Sequence, residues 1–426
     1  MLKASILIGL LFLYGGILSN LQAQEMRFSY PPEWSEQSSV WIGWPLRVGE
    51  PGSELDSLEQ GQASVRAQMV KHLSTGSRVS LLVSSEEAKN QAIDRLTAAQ
   101  IDLHKVDFYM SPVEDVFVRD LGPRFLSNEK QLKIADIPWK CYGYTRAIAG
   151  DYVDECLARK DNDNSMAQQM GLEMISSSAY AEGGALEATS TLLMGYLDTA
   201  LSRNPNMTKA QIEADYLNIY GKQKMIWLTS SPVSDRPGYK AGNFFGWGAN
   251  GHVDEYARFV NENTVVIAQI DESELSHALA KDDFETLKEN LAELKSATDI
   301  NGNPLNIIEM PAADPAMFGY QAPLNLPSTP EGWTELSGLT PDDIVTYVPA
   351  VSYMNFIIAN DKIIVPEYWV EGLPEIVKHE DKKAGEILQS LFPDREVVRI
   401  NPLPINWWGG GMHCSTQQQP LVKANE

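Results

Sequence analysis

The sequence WWGGGMHCST, residues 407–416 near the C-terminus, is the stretch from which the rest of the chain can be interpreted. Three glycines in succession favour neither a helix nor a strand, but they permit positive φ and let other groups approach the backbone closely. Cys414 follows them directly, and a Gly-rich turn can present a thiol to a cleft as a nucleophile. Taken alone, the stretch fits a tight turn beside a buried, inert thiol at least as well.

The composition is that of a globular protein with an acidic surface. The 426 residues are 43% hydrophobic and 9% aromatic, which suffices for a packed core in one large domain or in two or three smaller ones. The net charge of −23 argues against nucleic acid and anionic membranes as partners, and it is compatible with a cationic substrate.

The first 23 residues have the pattern of a signal peptide. Lys3 supplies a positive charge, residues 4–18 form an uncharged, largely apolar run, and Ala23 offers a small residue before the expected cleavage site. The apolar run is short for a membrane-spanning helix. We therefore expect an exported protein, periplasmic or secreted, whose mature chain is residues 24–426 and has no membrane span.

The chain has three cysteines, and export affects how they are interpreted. Thiols in an oxidising compartment tend to pair. Cys141 and Cys156 are close in sequence and could form a disulfide, which would leave Cys414 as an unpaired, working thiol. The alternative, three free and buried cysteines, fits the spacing equally well.

Strand–helix–strand units recur along the chain at irregular spacing. Helices are predicted at residues 54–73, 86–99, 208–220, 272–297 and 375–391, with apolar strands between them. Repetition without a fixed period, and without a long linker, predicts a single α/β domain built of related modules. Residues 116–119 are predicted as a strand, and the Gly/Pro-rich segments 229–250 and 311–341 as site loops.

Among the six histidines, His252 has the most informative surroundings. A Gly/Asn-rich loop, residues 246–251, leads into it, and Asp254 follows two residues later. In an extended segment these two side chains share one face and form a competent acid/base pair. A satisfied core histidine beside a capping aspartate explains the same pattern. By the same alternation, His413 is expected to point away from Cys414.

Two further stretches place carboxylates beside turns. Asp120 ends the predicted strand ahead of a Gly-Pro turn, and Glu182 precedes a Gly-Gly pair. Together with Asp254 they suit a planar cation such as a guanidinium, whose donors match carboxylates bidentately. A Zn²⁺ or Mn²⁺ site on His252 and Asp254 is the alternative, but neither His-Glu-x-x-His nor Cys-x-x-Cys occurs. We therefore expect no metal and no other cofactor.

These motifs, taken in order, resemble the agmatine deiminase family, within the guanidino-group-modifying superfamily that also holds the bacterial peptidylarginine deiminases. The similarity extends over nearly the whole mature chain. It rests on YPPEW (30–34), WIGWP (41–45), DVFVRDLGP (115–123), EGG (182–184), RNP (203–205), GHVDE (251–255), SYMNF (352–356) and QQQP (417–420). The resemblance implies the pentein fold, in which five pseudo-symmetric α/β modules form a propeller around a central site.

The resemblance also implies roles for residues of the site. The chemistry is assigned to Cys414 as nucleophile, His252 as acid/base, and Asp120 and Asp254 as carboxylates that bind the guanidinium. The implied substrate contacts are Glu182, Phe117, Asn355 and Gly410. Phe117 stands where the family usually has tryptophan, so we expect the pocket wall to differ.

The expected reaction is the hydrolytic deimination of a small cationic guanidino substrate through a covalent thiouronium on Cys414. The resemblance favours agmatine, which would give N-carbamoylputrescine and ammonia. Two alternatives stay open: an exported peptidylarginine deiminase that converts arginine in peptides to citrulline, and a non-catalytic binder of cationic ligands with the same fold. Homo-oligomerisation is also left open.

Overall fold

The computed structural model describes residues 27–111, 116–128, 130–160, 162–325, 330 and 332–423. The predicted signal peptide, residues 1–23, lies outside the described residues. Among the helices that are described, none is both long enough and apolar enough to cross a membrane.

Short, largely buried strands form the sheets. Several, such as Leu192–Tyr196 and Lys362–Pro366, are buried along their whole length, because both faces of the strand are covered. The strands are, in chain order, β1 (Gln37–Trp44), β2 (Arg78–Val83), β3 (Val106–Met110), β4 (Arg124–Ser127), β5 (Leu132–Asp136), β6 (Met174–Ser176), β7 (Leu186–Ala188), β8 (Leu192–Tyr196), β9 (Lys224–Leu228), β10 (Gly238–Tyr239), β11 (Phe244–Gly246), β12 (Ala257–Asn261), β13 (Thr264–Gln269), β14 (Asn306–Pro311), β15 (Tyr320–Pro323), β16 (Ile344–Tyr347), β17 (Ile357–Ile358), β18 (Lys362–Pro366), β19 (Glu396–Ile400) and β20 (Thr416–Pro420).

Helices connect the strands and cover the sheets. Side-chain caps fix where some of them begin: Ser53 accepts a hydrogen bond from the Asp56 amide, and Thr208 forms a capping box with Gln211. The α-helices span Glu54–Leu73, Glu86–Ala98, Val118–Leu121, Arg146–Ala149, Tyr152–Ala158, Asn162–Met170, Leu197–Arg203, Lys209–Ile219, Ala278–Ser296, Gly332–Ser337, Glu375–Leu391 and Leu403–Asn406. Single 3-10 turns that bear on the site are Cys141–Gly143, Val233–Asp235 and Val253–Glu255.

Within the described residues, five sheets repeat one pattern. In each, two strands pair antiparallel, and a helical crossover leads to a third strand that pairs parallel with the second. The five modules are β20-β1-β2 extended by β3, β4-β5-β6, β7-β8-β9, β12-β13-β14 and β17-β18-β19. Because β20 is the last strand and pairs with β1, the two ends of the folded chain meet in one module.

Hydrophobic clusters join each module to the next and close the modules into a ring. Neighbours share clusters that contain, in turn, Trp41 with Phe125, Leu126 with Leu186, Leu192 with Phe259, Val266 with Ile363, and Ile364 with Leu81. The last of these clusters returns to the first module. The predicted fold, a single α/β domain of five modules arranged as a propeller, is confirmed.

A sixth described sheet, β10-β11-β16-β15, lies outside this repeat. It takes strands from both segments that the sequence predicted to be loops, 229–250 and 311–341, so these segments are more regular than expected. Trp247 follows β11, and Trp333 packs edge-on against it with ring centroids 5.6 Å apart. The sheet thereby supports an aromatic wall beside the site described below.

Two local predictions are wrong. Residues 116–119 do not form a strand, because Val118–Leu121 is a helical turn closed by a 2.8 Å hydrogen bond from the Gly122 amide to the Val118 carbonyl. The helix predicted from residue 272 begins only at Ala278, where the His277 side chain caps it by accepting from the Ala280 amide. In both places the prediction rested on the spacing of apolar residues, but a local hydrogen bond determines the backbone conformation.

Candidate active site

Cys414 lies in a turn between the glycine triplet and β20, and its side chain is buried. The backbone amides of His413 and Cys414 both donate to Oδ1 of Asn355, at 2.7 and 3.2 Å. A Cβ atom at Gly410 would lie 3.2 Å from the Cys414 sulfur, and one at Gly411 would lie 2.5 Å from Asn355 Oδ1. Glycine at these two positions therefore allows the turn to pack around the thiol.

Three side chains surround the sulfur. Asn355 Nδ2 is 3.2 Å away, Glu255 Oε1 3.3 Å and Asp254 Oδ2 3.7 Å. Burial raises the pKa of the Cys414 thiol well above its ordinary value, and the carboxyl groups of Asp254 and Glu255 raise it further. Burial, with the charge of Asp254, also raises the pKa of Glu255 well above its ordinary value. The resting site thus favours a neutral thiol, and a bound cation would favour the thiolate.

His252 lies on a loop held by the carboxylate of Asp235. That carboxylate accepts hydrogen bonds from the amides of Ala249 (2.8 Å), Gly251 (2.6 Å) and His252 (2.8 Å). The 3-10 turn Val253–Glu255 follows, in place of the extended segment that the sequence suggested. The loop and the turn together direct the side chains of His252 and Asp254 toward each other despite this different backbone.

Three carboxylates surround the His252 ring. Nδ1 lies 3.8 Å from Asp120 Oδ1 and 4.0 Å from Asp254 Oδ1, and Nε2 lies 3.8 Å from Glu182 Oε2. No described residue hydrogen-bonds to either ring nitrogen or to Asp254 Oδ1. Burial lowers the pKa of His252, but the three carboxylates outweigh this effect and raise it to about 10. The ring is therefore protonated at neutral pH, and both of its nitrogens can donate a hydrogen bond.

Asp120 is positioned by hydrogen bonds to both carboxylate oxygens. Oδ1 accepts from the Gly184 amide at 3.0 Å, and Oδ2 accepts from the Tyr142 hydroxyl at 3.1 Å. Burial raises the pKa of Asp120, and the charge of His252 opposes this rise. A Cβ atom at Gly184 would come within 2.6 Å of His252 Nδ1, so the Gly-Gly pair allows these groups to converge.

Glu182 is buried against Arg203, with Nε 3.0 Å from Oε1. Burial acts to raise its pKa, but the charges of Arg203 and His252 lower it to about 2. The carboxylate is thus ionised. Glu182 therefore faces Nε2 of the His252 imidazolium, whereas Asp120 faces Nδ1.

His413 links the nucleophile turn to a buried charge network. Its Nδ1 is 2.7 Å from Asp254 Oδ2 and its Nε2 is 2.6 Å from Glu33 Oε2, which in turn lies 2.7 Å from Arg258 Nη2. The prediction that His413 points away from Cys414 assumed an extended backbone and is wrong. The two residues lie in a turn, and the ring packs beside the carboxylate that faces the sulfur.

A cavity of about 620 Å³ opens onto Cys414. Four of the predicted site residues line it: Phe117, Asp120, Gly410 and Cys414. The other four are buried behind this lining: Glu182, His252, Asp254 and Asn355. Aromatic side chains form much of the wall: Trp44, Phe117, Trp139, Tyr142, Tyr144, Tyr152, Trp247, Trp407 and Trp408. An acidic floor beneath an aromatic wall suits a planar cation carried on a carbon chain.

Four residues of the site had no role assigned from the sequence. Glu255 and His413 adjoin predicted catalytic residues, and Glu33 lies in the YPPEW motif, so their positions carried a signal that could have been used. Asp235 lies in an irregular segment without a motif. Its contacts with the His252 loop depend on the tertiary fold, and no sequence pattern predicted them.

Two groups of described side chains bring possible metal ligands within 4.8 Å of one another: Glu33, Glu187 and His413, and Asp254, Glu255 and Cys414. In the first group, Arg258 already lies 2.7 Å from Glu33 and 2.6 Å from Glu187. The second group contains the thiol itself. The hydrogen bonds and ion pairs described above account for the arrangement of both groups.

The cysteines pair as one of the two sequence interpretations anticipated. Cys141 and Cys156 form a disulfide with their Cα atoms 5.4 Å apart, and Cys414 is free and buried. The disulfide lies beside the cavity, since Cys156 and Tyr142 both line it.

The chain is similar to known proteins over nearly its whole length. An agmatine deiminase of Medicago truncatula is 28% identical over 424 residues, which covers 93% of this chain and 97% of the relative. The structure of the agmatine deiminase of Enterococcus faecalis superposes with a TM-score of 0.69 at 21% identity, covering 94% of this chain and 98% of that one. The agmatine deiminase of C. jejuni gives 0.64 at 19% identity, with coverage of 94% and 98%.

These similarities confirm the resemblance to agmatine deiminases and the fold it implied. They also support assignment of the chain to hydrolases that act on carbon–nitrogen bonds of amidine groups. The family model for Porphyromonas-type peptidyl-arginine deiminases matches residues 29–420. The chain belongs to this family.

Proposed function

We propose that the protein hydrolyses the guanidino group of a small cationic substrate, agmatine in the first place, to a ureido product and ammonia. One observation carries the proposal: the free thiol of Cys414, the imidazole of His252 and several carboxyl groups converge beside an aromatic cavity, and the His252 nitrogens and Asp254 Oδ1 have no hydrogen-bond partner among the described residues. The curated relatives named as agmatine deiminases support agmatine.

The guanidinium binds between Asp120 and Asp254, whose oxygens accept from its planar donors. Its charge lowers the pKa of the Cys414 thiol, which loses its proton to solvent. The thiolate attacks the guanidinium carbon, and His252 gives its proton to the leaving nitrogen, which departs as ammonia. A thiouronium remains on Cys414.

Water completes the reaction. Neutral His252 takes a proton from water as the oxygen bonds to the thiouronium carbon, and the carbon–sulfur bond breaks to return the thiolate. The protonated ureido group loses its extra proton to solvent, where the ammonia released earlier takes up one proton to become ammonium. With agmatine the product is N-carbamoylputrescine.

The test is turnover by the purified mature chain of agmatine, free arginine and a peptide ending in arginine. Ammonia and ureido product are measured together, and Cys414→Ser provides the matched control because it changes one atom. We expect turnover of agmatine by the wild-type protein and none by the serine variant. Wild-type activity no greater than that of Cys414→Ser on all three substrates would contradict the proposal.

The cavity supports a second candidate, peptidylarginine. Its volume of about 620 Å³ exceeds what agmatine fills, and Arg159 and Arg47 are among its lining residues, although Arg47 is already paired with Asp56 at 2.7 Å. Guanidinium groups there suit a peptide carboxylate better than the terminal ammonium of agmatine. A higher kcat/KM for the peptide than for agmatine would favour this candidate.

We further propose that the protein is exported. The pattern of residues 1–23 motivates this, and a disulfide between Cys141 and Cys156 supports it, because such bonds persist in oxidising compartments. Fractionation of the source cells with N-terminal sequencing of the mature protein tests it. Recovery in the cytosol with residue 1 intact would contradict export.

A further inference from the structure

The Cys141–Cys156 disulfide closes the loop that forms one wall of the cavity. Both cysteines are buried, and they are separated by 15 positions in sequence. Tyr142, Tyr144 and Tyr152 lie between them, and all three line the cavity. A covalent bond therefore restrains the part of the wall that contains these three tyrosines.

Tyr142 and its neighbours touch three parts of the site. The Tyr142 hydroxyl donates to Asp120 Oδ2 at 3.1 Å. The Tyr142 carbonyl accepts from Asn250 Nδ2 at 2.8 Å, in the loop that leads into His252. A Cβ atom at Gly143 would lie 2.6 Å from a guanidinium nitrogen of Arg203. The position of this turn is thus coupled to the carboxylates and to the imidazole.

The backbone of the turn is strained. Cys141, Tyr142 and Gly143 have φ values of 49°, 53° and 66°. Side-chain-bearing residues rarely adopt such values, and two in succession persist only where their surroundings hold them. The disulfide at Cys141 and the hydrogen bond from Tyr142 to Asp120 are two such restraints.

We propose that Tyr142 is a positioning residue for Asp120, and that the Cys141–Cys156 disulfide holds it there, so that the enzyme is fully active only in its oxidised form. The inference rests on the proposed function, because Asp120 must bind the guanidinium for its orientation to matter. A dithiol breaks the sulfur–sulfur bond, yields two thiols on the protein and becomes a cyclic disulfide itself. Cys414 has no disulfide and keeps its oxidation state.

Steady-state kinetics on the best guanidino substrate provide the first test. We compare the oxidised wild-type protein, the same protein reduced with dithiothreitol, the double variant Cys141→Ser/Cys156→Ser, and Tyr142→Phe. Tyr109→Phe is the control, since it removes a hydroxyl outside the cavity, where the ring packs against Trp41. Mass mapping reports the state of the disulfide, and thermal unfolding reports whether each protein is folded.

Reduction and the double variant should each lower kcat/KM by roughly tenfold, mostly through KM, because a misoriented Asp120 weakens binding of the guanidinium. In Tyr142→Phe, whose disulfide is intact, kcat/KM should fall roughly three- to tenfold. Dithiothreitol should not change the double variant, and Tyr109→Phe should match wild type. Folded protein that keeps kcat/KM within twofold after reduction, or in Tyr142→Phe, would overturn the inference.

Alkylation of Cys414 gives a readout that does not need turnover. The ratio of rates for 2-chloroacetamidine, a cation, and iodoacetamide, which is neutral, reports how well the carboxylates orient an amidinium. We expect this ratio to fall in the reduced, double-serine and Tyr142→Phe proteins. An unchanged ratio overturns the inference. The oxidised protein could be labelled selectively by the amidine and yet turn over no guanidine. That result would contradict the proposed function, and the change in the alkylation ratio would still decide whether Tyr142 positions Asp120.

Discussion

At the scale of single residues, the acidity of the site governs how Cys414 can react. Its thiol is 1% exposed, and burial and the carboxyl groups of Asp254 and Glu255 hold its pKa well above the ordinary value. A neutral thiol is a poor nucleophile. Under the proposed function, the cation that the carboxylates bind also favours the thiolate, so we expect the reactivity of Cys414 to be highest toward a guanidinium or amidinium.

The carboxylates that face His252 should be needed for catalysis but not for folding. Asp120→Asn and Asp254→Asn keep the size of the side chain and remove the charge that pairs with the guanidinium. We expect each to lower kcat/KM on the order of 10²-fold, about 3 kcal/mol, with little change in thermal unfolding. Asp107→Asn, at a partly exposed position paired with Arg78, is the control. Near-normal activity of both site variants would mean that the pocket is misplaced.

Glu255→Gln should make Cys414 more acidic. Glu255 Oε1 lies 3.3 Å from the sulfur, and the carboxyl group contributes to raising the thiol pKa. The raised pKa of Glu255 delays its ionisation, but the carboxylate opposes the thiolate once it forms; a neutral amide carries no charge at any pH, so the thiol should ionise at lower pH. The pH profile of alkylation by iodoacetamide should therefore shift downward relative to wild type. A profile that stays in place or moves upward would show that Glu255 does not act on the sulfur.

At the scale of secondary-structure elements, a short loop positions His252, and one carboxylate holds the loop. Asp235→Ala would leave the buried amides of Ala249, Gly251 and His252 without their acceptor. We expect a loss of roughly 2–4 kcal/mol in the free energy of unfolding and a lower kcat, whereas Asp235→Asn, which keeps one oxygen, should lose less. Urea unfolding and kinetics measure both effects. Equal behaviour of the alanine and asparagine variants would contradict this role.

The local elements also show where sequence patterns were sufficient. The glycine triplet before Cys414 predicted that other groups approach the backbone closely, and Gly410 does pack against Cys414, as Gly184 packs against His252. The apolar pattern predicted a strand before Asp120, and alternation predicted a His413 that points away from Cys414; both assumed an extended backbone, which the structure does not have there. The turn before Asp120 is closed by a local hydrogen bond, and a 3.1 Å bond from the Arg119 amide to the Cys414 carbonyl joins it to the turn of the nucleophile; periodicity reports neither bond.

At the scale of the whole molecule, the repeated units made the fold predictable. The contacts between modules could not be predicted from the sequence. Recurring strand–helix–strand units indicated one α/β domain, and the resemblance supplied the number of modules. The site, however, combines residues from several modules and from the segments between them. Glu33 illustrates this: its motif was recognised, but its contact with His413, 380 residues later, appears only once the ring is closed.

Glu33 and Arg258 should show strong coupling, because they form the centre of the network that joins modules. The Glu33 carboxylate lies 2.7 Å from Arg258 and accepts from the Ile358 amide at 2.9 Å, while Arg258 also contacts Glu187. Removing one partner leaves the other charge buried. We therefore expect Glu33→Gln and Arg258→Met each to cost about 3–5 kcal/mol in the free energy of unfolding, and the double variant to lose less than their sum.

The same network should make stability depend on pH in the acidic range. Burial alone would raise the pKa of Glu33, but the charges of His413 and Arg258 hold it well below its ordinary value of 4.5. A group whose pKa is lowered by folding stabilises the fold at pH values above the pKa that it has in the unfolded chain. It loses that contribution as the pH falls. The stability advantage of wild type over Glu33→Gln should therefore be full near pH 6 and shrink below about pH 4.5. An advantage that stays constant from pH 6 to pH 3 would mean that Glu33 carries no charge in the folded protein, and the electrostatic account of how the modules are joined would fail.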